Sequence, residues 1–186
     1  MEIPFRLEGF GKRNIRKGGR QLHLMSKMGL VTETLKARMD YRKVAPDVLH
    51  AMLGLEECVA KSGLERRLLH LVKLRASQIN GCAWCIDMHT KDARADGETE
   101  QRLYLISAWR EAPFFSERER AALAWTEAVT LVSQGHVPDD VYDYVRQHFT
   151  ERELAYLTLA VVAINGWNRF NVSMRTIAGD YQPRQK

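Results

Sequence analysis

From Pro46 onward, apolar residues recur every three or four positions and almost nothing alternates with a period of two. The pattern therefore predicts an all-α domain without strands. Pro46 opens a helix carrying Val48, Met52, Leu55 and Val59, with Gly63 as its stop. A second helix runs from about Leu64 through Ile79 on the apolar face of Leu68, Leu71, Val72 and Leu74, and Asn80-Gly81 interrupts it. A third begins near Gly81 and runs to Asp96, ended by Gly97; a fourth spans Glu98 to Trp109, closed by Pro113. Ser116 followed by Glu119 forms a capping box ahead of Ala122, Leu123, Trp125, Ala128, Val129 and Val132, and Gly135 ends that helix. Pro138 or Asp139 opens VYDYVRQHF. Thr150 and Glu153 form a second capping box before a long apolar helix through about Met174, apolar enough to be buried partly by a second subunit.

The first 36 residues follow no such pattern. FGKRNIRKGGRQ is basic and rich in glycine, which predicts a flexible extension, and MSKMGLVTETLKARM predicts one short amphipathic helix within and just beyond it. Met25, Met28 and Met39 each offer an alternative translation start, so this leader reads either as a dispensable extension or as a basic anchoring arm. The domain proper is placed at residues 40–183.

Charge sharpens that division. The formal net charge is +5, and eight basic against three acidic residues up to Lys36 account for all of it. The remainder carries 20 of each sign, so the fold itself builds no basic surface and nucleic-acid binding is not expected. The start lacks an apolar run with a cleavage site, and LAYLTLAVVAI at residues 154–164 is too short to cross a bilayer. A soluble, cytoplasmic chain with no membrane partner is the expectation. Three cysteines suit a reducing compartment with one functional pair. Cys58 stands alone and reads as a small residue on a helix face.

The chemistry concentrates in NGCAWCIDMHTKDAR, residues 80–94. If Cys82 lies in the first turn of a helix, Cys82, Cys85 and His89 share roughly one face. Amide donors at the helix start and a nearby protonated histidine both favour a thiolate, and the spacing lets either sulfur attack the other. Neighbouring core residues and a zinc site remain alternatives, although no fourth ligand stands adjacent. Haem attachment needs histidine directly after the second cysteine, where Ile86 stands. In a thioredoxin fold the pair would follow a strand, whereas LLHLVKLRASQI reads as helix.

The run LVKLRASQINGCAWCIDMHTKDAR, with GETEQRLYLISAWREAPFFSERERAALAWTEAVT after it and AINGWNRFNVSMRT near the end, resembles the carboxymuconolactone decarboxylase-like superfamily, in its alkylhydroperoxidase D-like branch. The resemblance implies an all-helical subunit assembling as homotrimers or homohexamers. It implies a thiol-dependent peroxidase in which Cys85 meets the hydroperoxide, Cys82 resolves the sulfenic acid and His89 handles a proton, with no cofactor or metal. A dithiol then resets the pair, either a lipoylated protein or thioredoxin. The family places a glutamate twelve residues before the first motif cysteine; here His70 stands there, able to act as acid or base but without a permanent negative charge. Glu56, Glu57 and Glu65 are the alternative carboxylates. Trp84 is placed to wall an apolar pocket or cover an interface, and Arg75 and Gln78 to orient an anionic or peroxidic group or simply to be solvated. Trp109, Trp125 and Trp167 read as core or subunit surface, and Asn165 and Asn168 as polar notches at an interface. Two rival readings stand beside it: a lactone decarboxylase or another non-redox member of the superfamily, and a non-catalytic thiol redox sensor that forms the same disulfide stoichiometrically.

Overall fold

The computed structural model describes residues 35–183, which contain helices and no strands. In chain order these are α1 (Tyr41–Val44), α2 (Pro46–Ala60), α3 (Arg66–Ile79), α4 (Ala83–Ala95), α5 (Glu100–Leu105), a 3₁₀ turn (Ile106–Ala108), α6 (Glu117–Thr130), α7 (Val132–Gly135), α8 (Asp139–Arg146) and α9 (Glu151–Ser173). The basic extension falls almost wholly outside the described residues, and so does most of the expected amphipathic helix. The part of that helix within them, residues 35–39, is not helical.

The packing is organised by α3, whose apolar residues divide between two sides. Leu68 and Val72, one turn apart, enter a core with Ala122 and Trp125 of α6, Val145 of α8 and Leu157 and Val161 of α9. Leu71 and Leu74 enter a second core with Ala93 of α4, Leu103, Ile106, Trp109 and Leu123. Leu71 and Val72 are fully buried, and burial of such a side chain contributes about 1.5–3 kcal/mol. A third, smaller cluster joins Ala76 near the end of α3 to Cys82, Cys85 and Ile164, with Trp84 and Trp167 packed against it.

Helix starts follow the capping chemistry. Both boxes form: Ser116 and Thr150 accept from the backbone of Glu119 and Glu153, whose carboxylates return to the cap amides. The helix expected from Glu98 to Trp109 is shorter. Thr99, not a residue before it, caps α5 by accepting from the Arg102 amide, while Glu98 is drawn aside to the Arg102 guanidinium. After Leu105 the chain tightens into the 3₁₀ turn that buries Ile106 and Trp109.

The junction between α3 and α4 sets the position of both motif cysteines. Gly81 adopts φ +65°, a left-handed conformation open to glycine at little cost. Its amide donates to Gln78 O at 3.2 Å, and the Cys82 amide to Ser77 O at 3.0 Å. That pair of bonds is a Schellman closure of α3. Cys82 thus completes one helix and caps the next, its Sγ accepting from the Cys85 amide at 3.4 Å.

Candidate functional site

Cys82 and Cys85 are both buried, and they are joined as a disulfide with Cα atoms 5.3 Å apart. The pair is therefore placed for thiol–disulfide exchange. Cys85 is the third residue of α4, where unpaired amides at the helix start favour a thiolate once the bond is reduced. Asn171 of α9 adds a donor, its Nδ2 lying 3.4 Å from Cys85 Sγ.

The two sulfurs differ in what they face. Cys85, but not Cys82, lines a cavity of about 520 Å³. Leu49 and Leu53 of α2, Trp84 and Met88 of α4, and Ile164 and Trp167 of α9 supply its apolar walls. Cys82 instead sits behind Cys85, within the small cluster of Ala76 and Ile164.

His89, one turn beyond Cys85, also lines this cavity and is 6% exposed. Its Nε2 has no hydrogen-bond partner among the described residues. Burial pushes its imidazole well below the ordinary histidine range, and nearby Lys73 and His70 push it further. At neutral pH the ring is uncharged, and a neutral imidazole can take up a proton. Asn171 and the start of α4 place donors beside the Cys85 sulfur.

His70 stands in a neighbouring cavity of about 400 Å³ that does not reach Cys85. Its Nε2 is 2.7 Å from Asp96 Oδ2, and Arg66 Nε is 2.5 Å from the same oxygen. The two cavities share Glu56, Lys73, His89 and Asp92 in their walls, so His89 lines both the cavity of Cys85 and that of His70. Of the alternative carboxylates, Glu56 is the one at the site: Lys73 Nζ donates to its Oε2 and Trp167 Nε1 to its Oε1 at 3.0 Å. Glu57 is exposed and paired with Lys61, and Glu65 is paired with Arg118.

Several residues fall elsewhere than the sequence indicates. Arg75 does not face the cysteines; its Nε binds Glu127 Oε1 at 2.7 Å, and Gln78 binds Arg75. Burial works against ionisation of Glu127, but donors from Trp109, Arg110 and Arg75 outweigh it and hold the carboxyl below its ordinary range. Trp167 is cavity wall as well as core. Trp84 lines the cavity and stacks edge-on against Tyr181. Asn165 and Asn168 serve a junction within the subunit. Asn80 Nδ2 reaches Asn165 Oδ1 at 3.0 Å and Asn168 Oδ1 at 2.9 Å, and Asn168 donates to Ser77 Oγ at 3.0 Å. Cys58 is exposed on α2, far along the chain from the motif.

Among the described residues, no group of three or more His, Cys, Asp or Glu side chains is arranged to hold a metal ion. Nor is any of their helices long and apolar enough to cross a membrane.

Comparison with known proteins agrees with this arrangement. Residues 46–128 match the model of the carboxymuconolactone decarboxylase family. The uncharacterized protein YdfG of Bacillus subtilis (strain 168) is 44% identical over 140 residues, covering 75% of this chain and 95% of that protein. The crystal structure of an Agrobacterium tumefaciens protein of unknown function, proposed to be the antioxidant defence protein AhpD, superposes with a TM-score of 0.76 at 46% identity, covering 78% of this chain and all of that one. The debrominase Bmp8 shares the fold at 21% identity and a TM-score of 0.66, over 73% of each chain. Family model, sequence and architecture agree: the chain belongs to the carboxymuconolactone decarboxylase family, in its alkylhydroperoxidase D-like branch.

Proposed function

We propose that this protein is a thiol-dependent peroxidase that reduces hydroperoxides through a Cys82–Cys85 disulfide cycle. The observation that carries the reading is the inequality of the two sulfurs. Cys85 faces the cavity beside an unpartnered His89 nitrogen, and Cys82 lies behind it within bonding reach. The antioxidant role proposed for the Agrobacterium tumefaciens relative points the same way.

The steps follow from that placement. His89 takes the Cys85 thiol proton, and the thiolate attacks the terminal oxygen of ROOH. The O–O bond breaks, the leaving alkoxide takes the proton as ROH, and Cys85 becomes a sulfenic acid. Cys82 then attacks the Cys85 sulfur and water leaves, giving the disulfide. An external dithiol, a lipoylated protein or thioredoxin, reduces it and is itself oxidised to a disulfide. In the neighbouring cavity, His70 with Asp96 exchanges protons between His89 and solvent. Assembly as a homotrimer or homohexamer would cover apolar residues left exposed on α9, such as Val162 and Val172.

The test is peroxide consumption by purified protein with dihydrolipoamide or thioredoxin as reductant. Multiple turnovers that vanish in Cys85→Ser are expected, with Cys82→Ser stalling at a sulfenic acid. One equivalent consumed and no more would make the protein a redox sensor. No consumption at all would favour the non-redox chemistry of the decarboxylases.

A further inference from the structure

The charged groups around the Cys85 cavity are not alike in how they are satisfied. Lys73 and Glu56 neutralise one another, and Trp167 completes the carboxylate. Asp92 accepts from the Tyr181 hydroxyl at 2.7 Å. Arg42 of α1 differs. Its guanidinium lies 4.9 Å from the Trp84 ring centroid and 5.4 Å from that of Tyr41, with no ion pair or hydrogen bond among the described residues.

Stacking holds that group in place but leaves its donors unused. A guanidinium presents five N–H groups in a planar fork that matches a carboxylate. Arg42 is half-buried, as part of the same cavity lining that includes 47% exposed Leu53. Cys85, His89 and Ile164, by contrast, are buried members of that lining. Leu49, Met88 and Ile164 belong to the same lining. A half-buried cation, apolar walls and a buried sulfur in one cavity describe a site for an amphipathic anion. Its volume of about 520 Å³ falls within the roughly 300–1,000 Å³ of small-molecule sites. The Asp92 carboxylate in the same wall disfavours a dianion such as a phosphate monoester, leaving a single carboxylate as the better match.

We propose that the ligand of this cavity is a small organic acid with an apolar chain, its carboxylate on Arg42 and its hydroperoxide directed at Cys85. The hydroperoxide end rests on the peroxidase reading above. The carboxylate end rests on Arg42 alone, so the two are tested separately.

Calorimetric titration of the disulfide form with decanoate and with decanol isolates the second claim, since neither ligand is turned over. Arg42→Met keeps apolar cover on Trp84 and removes the charge. Decanoate should bind the wild type and bind Arg42→Met at least about tenfold more weakly, with decanol affinity the same in both. Equal decanoate binding in the two proteins, an equal loss for both ligands, or no binding of either to the wild type would each overturn the proposal. A protein without peroxidase activity that still passes this test would leave Arg42 as an acid-binding group and refute the peroxidase reading alone. With dihydrolipoamide, an uncharged reductant, Arg42→Met should also raise KM for a carboxylated alkyl hydroperoxide more than for its methyl ester. A rise in KM confined to the dithiol would count against the assignment.

Discussion

Replacing Gly81 by alanine tests the junction that places both cysteines. At φ +65° an L-residue costs about 1–2 kcal/mol. A Cβ built there meets no atom within 4 Å, so the cost is conformational and not steric. Abandoning the turn is no easier. It would forfeit the two bonds from Gly81 and Cys82 to Gln78 and Ser77, at about 0.5–1.5 kcal/mol each. Alanine should therefore lower stability by about 1–2 kcal/mol, read as a lower urea midpoint with an unchanged slope. Gly81→Asn should lose less, because asparagine tolerates the left-handed region. Both measurements belong on reduced protein, where the disulfide does not hold the turn closed. An alanine variant as stable as the wild type, or an asparagine variant no better than alanine, would refute the reasoning.

Two further outcomes follow from the histidines. Because His89 is held neutral by burial, both folded and unfolded rings are uncharged above about pH 6.5. Below that, the unfolded ring binds a proton that the folded one refuses. Relative to His89→Gln, the wild type should lose about 1.4 kcal/mol per pH unit until the pH reaches the lowered folded value. Urea titrations of both proteins on either side of pH 6.5 check this, and a pH-independent difference would mean that the ring is charged when folded. His70→Gln keeps a donor toward Asp96 and removes the imidazole. Peroxide turnover should fall about 10²-fold while alkylation of reduced Cys85 by iodoacetamide keeps its rate; equal losses in both would make His70 purely structural.

What could be read from the sequence was local. Capping boxes, the Asn80-Gly81 interruption and the placement of the cysteine pair at a helix start depend on residues within a few positions of one another. Cys85 and Cys82 were therefore legible as a pair, and α3 and α9 as helices. The surroundings of Cys85 were not. Asn171 contacts its sulfur across 86 residues, and Glu56 meets Trp167 across 111. No helical period links such positions. Asn171 had one faint signal, since it continues Asn165 and Asn168 at three-residue spacing through an apolar helix. Arg75 misled because helix position alone does not show that Glu127 waits on α6 to bind it. His70 was found at the position where a carboxylate was expected, but its partner Asp96 closes the far end of α4 and belonged to no motif.

The asparagine row on α9 has a consequence for how that helix can sit. Apolar surfaces tolerate sliding, since one leucine replaces another at little cost. Asn165, Asn168 and Asn171 do not, because a step of one residue turns each side chain by about 100° away from its partner and leaves the buried Asn168 and Asn171 unpaired. They act as indexing pins, fixing the rotation of α9 against the end of α3 and the start of α4. Trp167 and Ile164 ride on the same helix, so the cavity wall and the amide beside the Cys85 sulfur share one setting. A change that frees the pins would detune the whole site at once without touching either cysteine.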